Sequence, residues 1–209
     1  SNPEVMPPPA PLLRKIFTIN KEIASARAYV TGLGFFELYV NGEKVSDDVM
    51  VPNVTHYAKR PGLEKNYISL PDNFKEYRVM YMSYDIKNML KKGANAIGAI
   101  LGNGFYNAPM NWTHSYGSPR FLGQVHITYT DGTSDTILSD QSWKASKSAI
   151  MMELVYDGEH YDAREEQPGW SAAGFDDSRW EQATIRKTPE GKMKAHMAPP
   201  DKVMEKLKP

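Results

Sequence analysis

The densest group of side chains able to do chemistry lies between residues 153 and 166: Glu153, Asp157, Glu159, Asp162, Glu165 and Glu166. Two carboxylates on opposite sides of a bond are what glycoside hydrolysis needs. Spacing along a chain cannot supply that arrangement, and the plain reading of the stretch is a solvated β edge followed by a loop. Metal binding is the other chemistry on offer. Calcium takes carboxylate and amide oxygens at flexible geometry, and Asn103 and Asp157 are the candidate ligands, with Glu159 of the same type.

A second group is Asn103-Gly104-Phe105-Tyr106-Asn107, just after an apolar run, with Trp112 close behind. Sugars present C–H faces that stack on flat rings and hydroxyls that need fixed polar partners, as small-ligand sites generally do. Tyr106 and Trp112 offer rings; Asn103, Asn107, Asp157 and Glu159 offer polar groups. These six form the candidate ligand site. The plain alternative is an Asn-Gly turn with an aromatic ring tucked into the core. Trp170 and Trp180 flank Gly174-Phe175-Asp176-Asp177-Ser178 and read as structural, with the rings pinning a turn to the core.

Other chemistries are excluded or unsupported. The chain has no cysteine, so disulfides, zinc–thiolate sites and thiol nucleophiles are ruled out. Its five histidines show no metal-ligand spacing, and no nucleophile elbow, P-loop or dinucleotide fingerprint occurs. Lys plus Arg is 25 and Asp plus Glu is 25, so no basic excess exists to neutralise phosphates or an anionic bilayer. Nucleic acid and membrane are therefore not expected partners. The longest apolar run, near 94–101, is far below the roughly 20 residues that span a bilayer. None of this decides the compartment.

The elements that must position these groups are mostly strands. Leu13 to Ile19, Ala26 to Thr31, Phe35 to Val40, Arg78 to Tyr84 and Ala96 to Leu101 are strand-like, the last apolar enough to be buried on both faces. Asn41-Gly42 and Asp131-Gly132 carry the hairpin signature. Phe121, Gly123, Val125, Ile127 and Tyr129 alternate onto one face. Shorter strands are expected at Glu43–Val45, Thr136–Leu138, 143–145, 154–156 and 183–186. One short helix is predicted over 86–90, with Asp85 as N-cap and Gly93 at C′. Residues 47–77 read as a long loop region. Many short strands and one helix predict an all-β sandwich or jelly roll.

Four segments then resemble the N-terminal region of bacterial α-L-rhamnosidases of glycoside hydrolase family 78. They are Ala10-Pro11-Leu12-Leu13-Arg14-Lys15 running on through Ala28 to Gly42; Tyr84-Asp85-Ile86 through Leu101-Gly102-Asn103-Gly104-Phe105-Tyr106; Tyr156-Asp157-Gly158-Glu159-His160-Tyr161-Asp162-Ala163-Arg164 with Pro168-Gly169-Trp170; and Gly174-Phe175-Asp176-Asp177-Ser178-Arg179-Trp180. The last recurs in many galactose-binding-like sandwiches; the second and third together are far more particular. Phe105 stands where the family commonly has Trp, and Asp157 where Asn is also common. The resemblance implies a galactose-binding-like β-sandwich over residues 12–188, an arm at 1–11, and a linker at 189–209 towards a further domain. It implies a parent enzyme that hydrolyses terminal α-L-rhamnosides with inversion, in an α/α barrel that these residues do not include. The domain itself would be a non-catalytic accessory, either contacting rhamnose-containing glycan or serving as a spacer on the catalytic domain of the same parent chain. Some rhamnose-binding modules of related form hold vicinal hydroxyls through calcium, which is what the pair Asn103 and Asp157 would do here.

Overall fold

The computed structural model describes residues 8–58, 74–107, 115–205 and 207–208. Six strands make one sheet: β1 (Pro11–Ile19), β3 (Phe35–Val40), β4 (Glu43–Lys44), β7 (Gly93–Gly102), β10 (Lys144–Lys147) and β13 (Glu181–Gln182), in the order β13-β10-β1-β7-β3-β4. Five make the other: β2 (Ile23–Leu33), β6 (Arg78–Asp85), β8 (Arg120–Tyr129), β9 (Ser134–Leu138) and β14 (Lys192–Ala195), in the order β14-β6-β2-β8-β9. Two small ribbons complete the fold. One pairs β11 (Ile150–Leu154) with β12 (Gly158–Tyr161), the other β5 (Asp48–Val49) with β15 (Asp201–Lys202).

The period-2 alternation explains why the two large sheets face each other. Along β8, Gly123, Val125, Ile127 and Tyr129 are buried while Leu122, Gln124, His126 and Thr128 are exposed. The buried set meets Ala26, Ala28 and Val30 from β2, and Phe36, Leu38, Ile97, Ala99 and Leu101 from the six-stranded sheet. Removing this apolar area from water is the main stabilising term. β7 lies between β1 and β3 and is buried on both faces, as its apolar run predicts. Both hairpin signals hold. Asn41 and Gly42 adopt φ of 51° and 92° at the β3–β4 turn, and Gly132 adopts 82° between β8 and β9.

Four expectations change. The helix at 86–90 is a single 3-10 turn, Lys87–Met89. The buried Asn95 side chain ends it, accepting from the Lys91 N–H and donating to the Lys91 and Gly93 carbonyls. Gly93, at φ 95°, therefore opens β7 and is no helix C′ residue. A second 3-10 turn, Ala163–Glu165, has Asp162 as its cap. Of the strand expected at 154–156 only Leu154 is in β11, with 155–157 forming the turn after it, and 183–186 lie beyond β13 outside any strand. Pro11 belongs to β1, and Ala10 is tied to Ile150 and Ser148 by backbone hydrogen bonds. In the tail, β14 runs parallel to β6 and β15 pairs with β5, so two short pieces of the stretch read as linker join a sheet and a ribbon.

Candidate functional site at the β7 loop and the β11–β12 hairpin

The loop after β7 is built around Asn103. Its carbonyl accepts from the N–H groups of Tyr106 and Asn107, closing a tight turn, and Gly104 inside that turn has φ 49° against the Phe35 ring. Asn103 is 3% exposed, and its side chain is part of a chain of bonds. Its Nδ2 donates to the Glu153 carbonyl at 2.9 Å, and its Oδ1 accepts from Asn107 Nδ2 at 2.8 Å. Asn107 Oδ1 in turn accepts from Ser115 Oγ at 2.7 Å. The Asn103 N–H donates to Glu153 Oε2 at 2.5 Å. Glu153 lies on β11 directly across from Glu159 on β12. Two carboxylates at such a position repel, and the bond to Asn103 gives Glu153 a partner on the other side.

These bonds bring the two motifs together, although they lie 50 residues apart in the chain. At the contact, the Phe105 and Tyr156 rings meet edge to face, with centroids 5.9 Å apart. Tyr156 is 55% exposed at the tip of the hairpin, beside the exposed Asp157 and with Glu159 exposed on β12. Further along, Tyr161 donates to Glu166 Oε1, which raises the phenol above its usual value. Hydrogen bonds from Arg164 hold Asp162 below the usual carboxylate range.

The expected site residues therefore divide. Asp157 and Glu159 are at the surface. Asn103 and Asn107 hold the loop. Tyr106, expected as a surface ring, is 2% exposed. It is stacked on Tyr116 at 5.3 Å and edge-on to Tyr57 at 5.2 Å, in a small cluster with Leu33 and Val79. Burial raises its phenol above the ordinary value. Trp112 lies outside the described residues. The accessible ring beside Asp157 is Tyr156, expected in a strand; its position just before Asp157-Gly158, a turn signal, is the clue in the sequence, and Tyr161 on β12 is equally exposed.

Of the two calcium candidates, Asn103 is buried in the loop and Asp157 is exposed on the hairpin. Calcium takes about six to eight oxygens. The Asn103 oxygen already serves Asn107, and among the described residues no three Asp, Glu, His or Cys side chains converge as a metal site. No helix among them is long and apolar enough to cross a membrane.

On the far face of the six-stranded sheet, residues 163–180 form a cover. Trp170 packs on Gly98 and on the Tyr39 ring, with centroids 5.2 Å apart, and is stacked with Trp180 at 6.4 Å. Trp180 Nε1 donates to Gln167 Oε1 at 2.8 Å. Both tryptophans are thus structural, as expected. Beneath the cover, Arg14 is fully buried and paired with Asp177, an anchor the sequence reading did not identify.

Two facing β-sheets, with the candidate site carried on loops and a hairpin beside them, define a galactose-binding-like sandwich. The family model described as the alpha-L-rhamnosidase N-terminal domain matches residues 21–68 and 70–205, and the chain belongs to that family. An alpha-L-rhamnosidase of Formosa agariphila is 36% identical over 173 residues, which is 80% of this chain and 17% of that protein. Among solved structures, the alpha-L-rhamnosidase from Dictyoglumus thermophilum is 38% identical with a TM-score of 0.79, covering 94% of this chain and 20% of that one. The Streptomyces avermitilis alpha-L-rhamnosidase complexed with L-rhamnose is 35% identical with a TM-score of 0.74, covering 87% of this chain and 16% of that one. A Pleurotus ostreatus lectin, 20% identical with a TM-score of 0.54 over 91% of this chain and 41% of its own, shares the fold. The chain thus spans a fifth or less of the rhamnosidases it matches.

Proposed function

We propose that this chain is a non-catalytic accessory domain of an α-L-rhamnosidase that contacts rhamnose-containing glycan through the β11–β12 hairpin. The observation that carries this reading is the coupling of Asn103 to Glu153, which sets the Phe105–Tyr156 pair beside Asp157 and Glu159. A deoxysugar needs an apolar surface for its methyl group next to fixed acceptors for its hydroxyls. Tyr156 with Phe105 supplies the first, and the two carboxylates supply the second. A solvent-open site of this kind binds weakly, with Kd on the order of millimolar, about −4 kcal/mol. The relative crystallised with L-rhamnose is consistent with the ligand class.

Calorimetric titration with L-rhamnose, with and without added calcium, tests the reading. Tyr156→Ala and Asp157→Ala are each expected to weaken binding about tenfold, the scale of losing one anchoring contact. Trp112→Ala belongs in the same series. Binding that survives all three changes would move the site elsewhere. On this reading hydrolysis belongs to the α/α barrel that the resemblance implies for the parent, so the purified chain is expected to release no chromophore from an aryl α-L-rhamnoside. Turnover abolished by changing one carboxylate between 153 and 166 would overturn that.

A second reading, a spacer that packs on the parent's catalytic domain, is favoured by apolar side chains in the tail. Met197, Met204 and Leu207 are 91%, 90% and 82% exposed, and packing on another domain would remove that apolar area from water. No heat of binding at millimolar rhamnose, in the presence of calcium, selects this reading.

A further inference from the structure

We propose that the outer face of the five-stranded sheet is a second carbohydrate site, which takes a neutral oligosaccharide across the strands. The alternation that buries Ala28, Val30, Val125 and Ile127 turns their neighbours outward. Tyr29, Gln124 and Leu138 lie directly opposite one another on β2, β8 and β9. Tyr81 on β6 extends the row, its ring 6.1 Å from that of Tyr29. His126 meets Tyr29 from the other side at 5.8 Å. Met193 on β14 closes one end. Together they line a groove of about 540 Å³, within the range of small-ligand sites.

The chemistry of the lining selects the occupant. Tyr29, Leu122, Leu138 and Met193 are 36%, 43%, 47% and 43% exposed, so ring faces and apolar walls are open to solvent. Between them stand the Gln124 carboxamide, paired with the His126 imidazole, and the Ser139 hydroxyl, which accepts from the Gly123 N–H. Among the described residues no Asp, Glu, Lys or Arg lines the groove, and Arg27, directly opposite His126, donates instead to Ser83 Oγ. A charged polymer would find no counter-charge in it. A wholly apolar partner would bury the amide, imidazole and phenol groups without replacement bonds, which is costly. A neutral polyhydroxylated chain meets both needs, with C–H faces on the rings and hydroxyls on Gln124, His126 and Ser139. Five strands about 4.8 Å apart span roughly 19 Å, the length of a short oligosaccharide rather than of one ring.

This site is separate from the β11–β12 hairpin and does not require that hairpin to bind. The probe is an array of neutral oligosaccharides of about three to six units, the length set by the strand spacing, followed by calorimetry with the best-retained member. Tyr29→Ala and Tyr81→Ala are expected to weaken binding at least about tenfold each, as loss of a ring anchor does. Tyr29→Phe, which keeps the ring, is expected to restore binding lost in Tyr29→Ala, and free L-rhamnose should not compete. Melting temperatures of the three variants verify the fold. Failure of the hairpin reading would show as loss of L-rhamnose binding alone. Retention of no neutral oligosaccharide by the unaltered chain would overturn the groove proposal. So would binding by the Tyr29→Ala and Tyr81→Ala variants as tight as that of the unaltered chain, or a dimer in sedimentation that Tyr29→Ala dissociates.

Discussion

Asp177→Ala is expected to lower the unfolding free energy by about 3–5 kcal/mol, the cost of leaving a buried charge without its partner. Arg14 sits on β1 in the six-stranded sheet, and its side chain is 0% exposed. Its Nη1 donates to Asp177, its Nη2 donates to the Ala172 carbonyl at 2.8 Å, and its guanidinium lies 5.4 Å from the Phe175 ring centroid. Burial pulls its pKa below the ordinary guanidinium value. The second carboxylate oxygen of Asp177 accepts from Lys144 Nζ at 2.7 Å. One carboxylate thus holds two cations from adjacent strands and fastens the 163–180 cover to the sheet. Arg14→Met should cost less, because it removes the charge along with its partner's need. The double variant should be more stable than Asp177→Ala alone, since no orphaned guanidinium remains. Urea denaturation of the three variants measures this. A loss of under about 0.5 kcal/mol in Asp177→Ala, the range of ordinary surface changes, would refute the account.

Gly34→Ala is the other change with a large expected effect, about 3 kcal/mol or more of stability. Gly34 joins β2 to β3 at φ 104°, and a Cβ there would lie 2.1 Å from the Gly102 carbonyl oxygen and 2.8 Å from that of Asn103. Both obstacles are backbone, so no rotamer relieves them. The displaced residue would be Asn103, which carries the bonds to Glu153. Weaker rhamnose binding should therefore accompany the lost stability. Gly132→Ala is the control: φ is 82° there too, but nothing lies within 4 Å of the added carbon. It should cost only the left-handed backbone penalty, about 1–2 kcal/mol. Thermal unfolding of the pair isolates the clash, and equal losses would show that no clash exists.

What was legible in the sequence was local or periodic. Asn41-Gly42 and Asp131-Gly132 name their turns because few residues tolerate positive φ. The 121–129 alternation names its buried face because successive side chains in a strand point to opposite sides. The 86–90 segment was misread because helix punctuation is also local, and Asn95, which ends the turn, acts from β7. The two-residue strand β15 and the parallel β14 carry no pattern of their own; their place depends on the edges of β5 and β6.

The sequence by itself determined the all-β class, the principal strands, and the two motifs that mark the family and the candidate site. The tertiary structure alone decided which rings meet solvent. Tyr106 and Tyr156 both sit in chemically suggestive motifs, yet one is enclosed by Tyr57 and Tyr116 and the other stands at a hairpin tip. It alone joined Arg14 to Asp177 across 163 residues and Asn103 to Glu153 across 50. The reason is physical. Turn chemistry and alternation act between neighbours in the chain, whereas burial and ion pairing depend on what the remaining strands bring alongside.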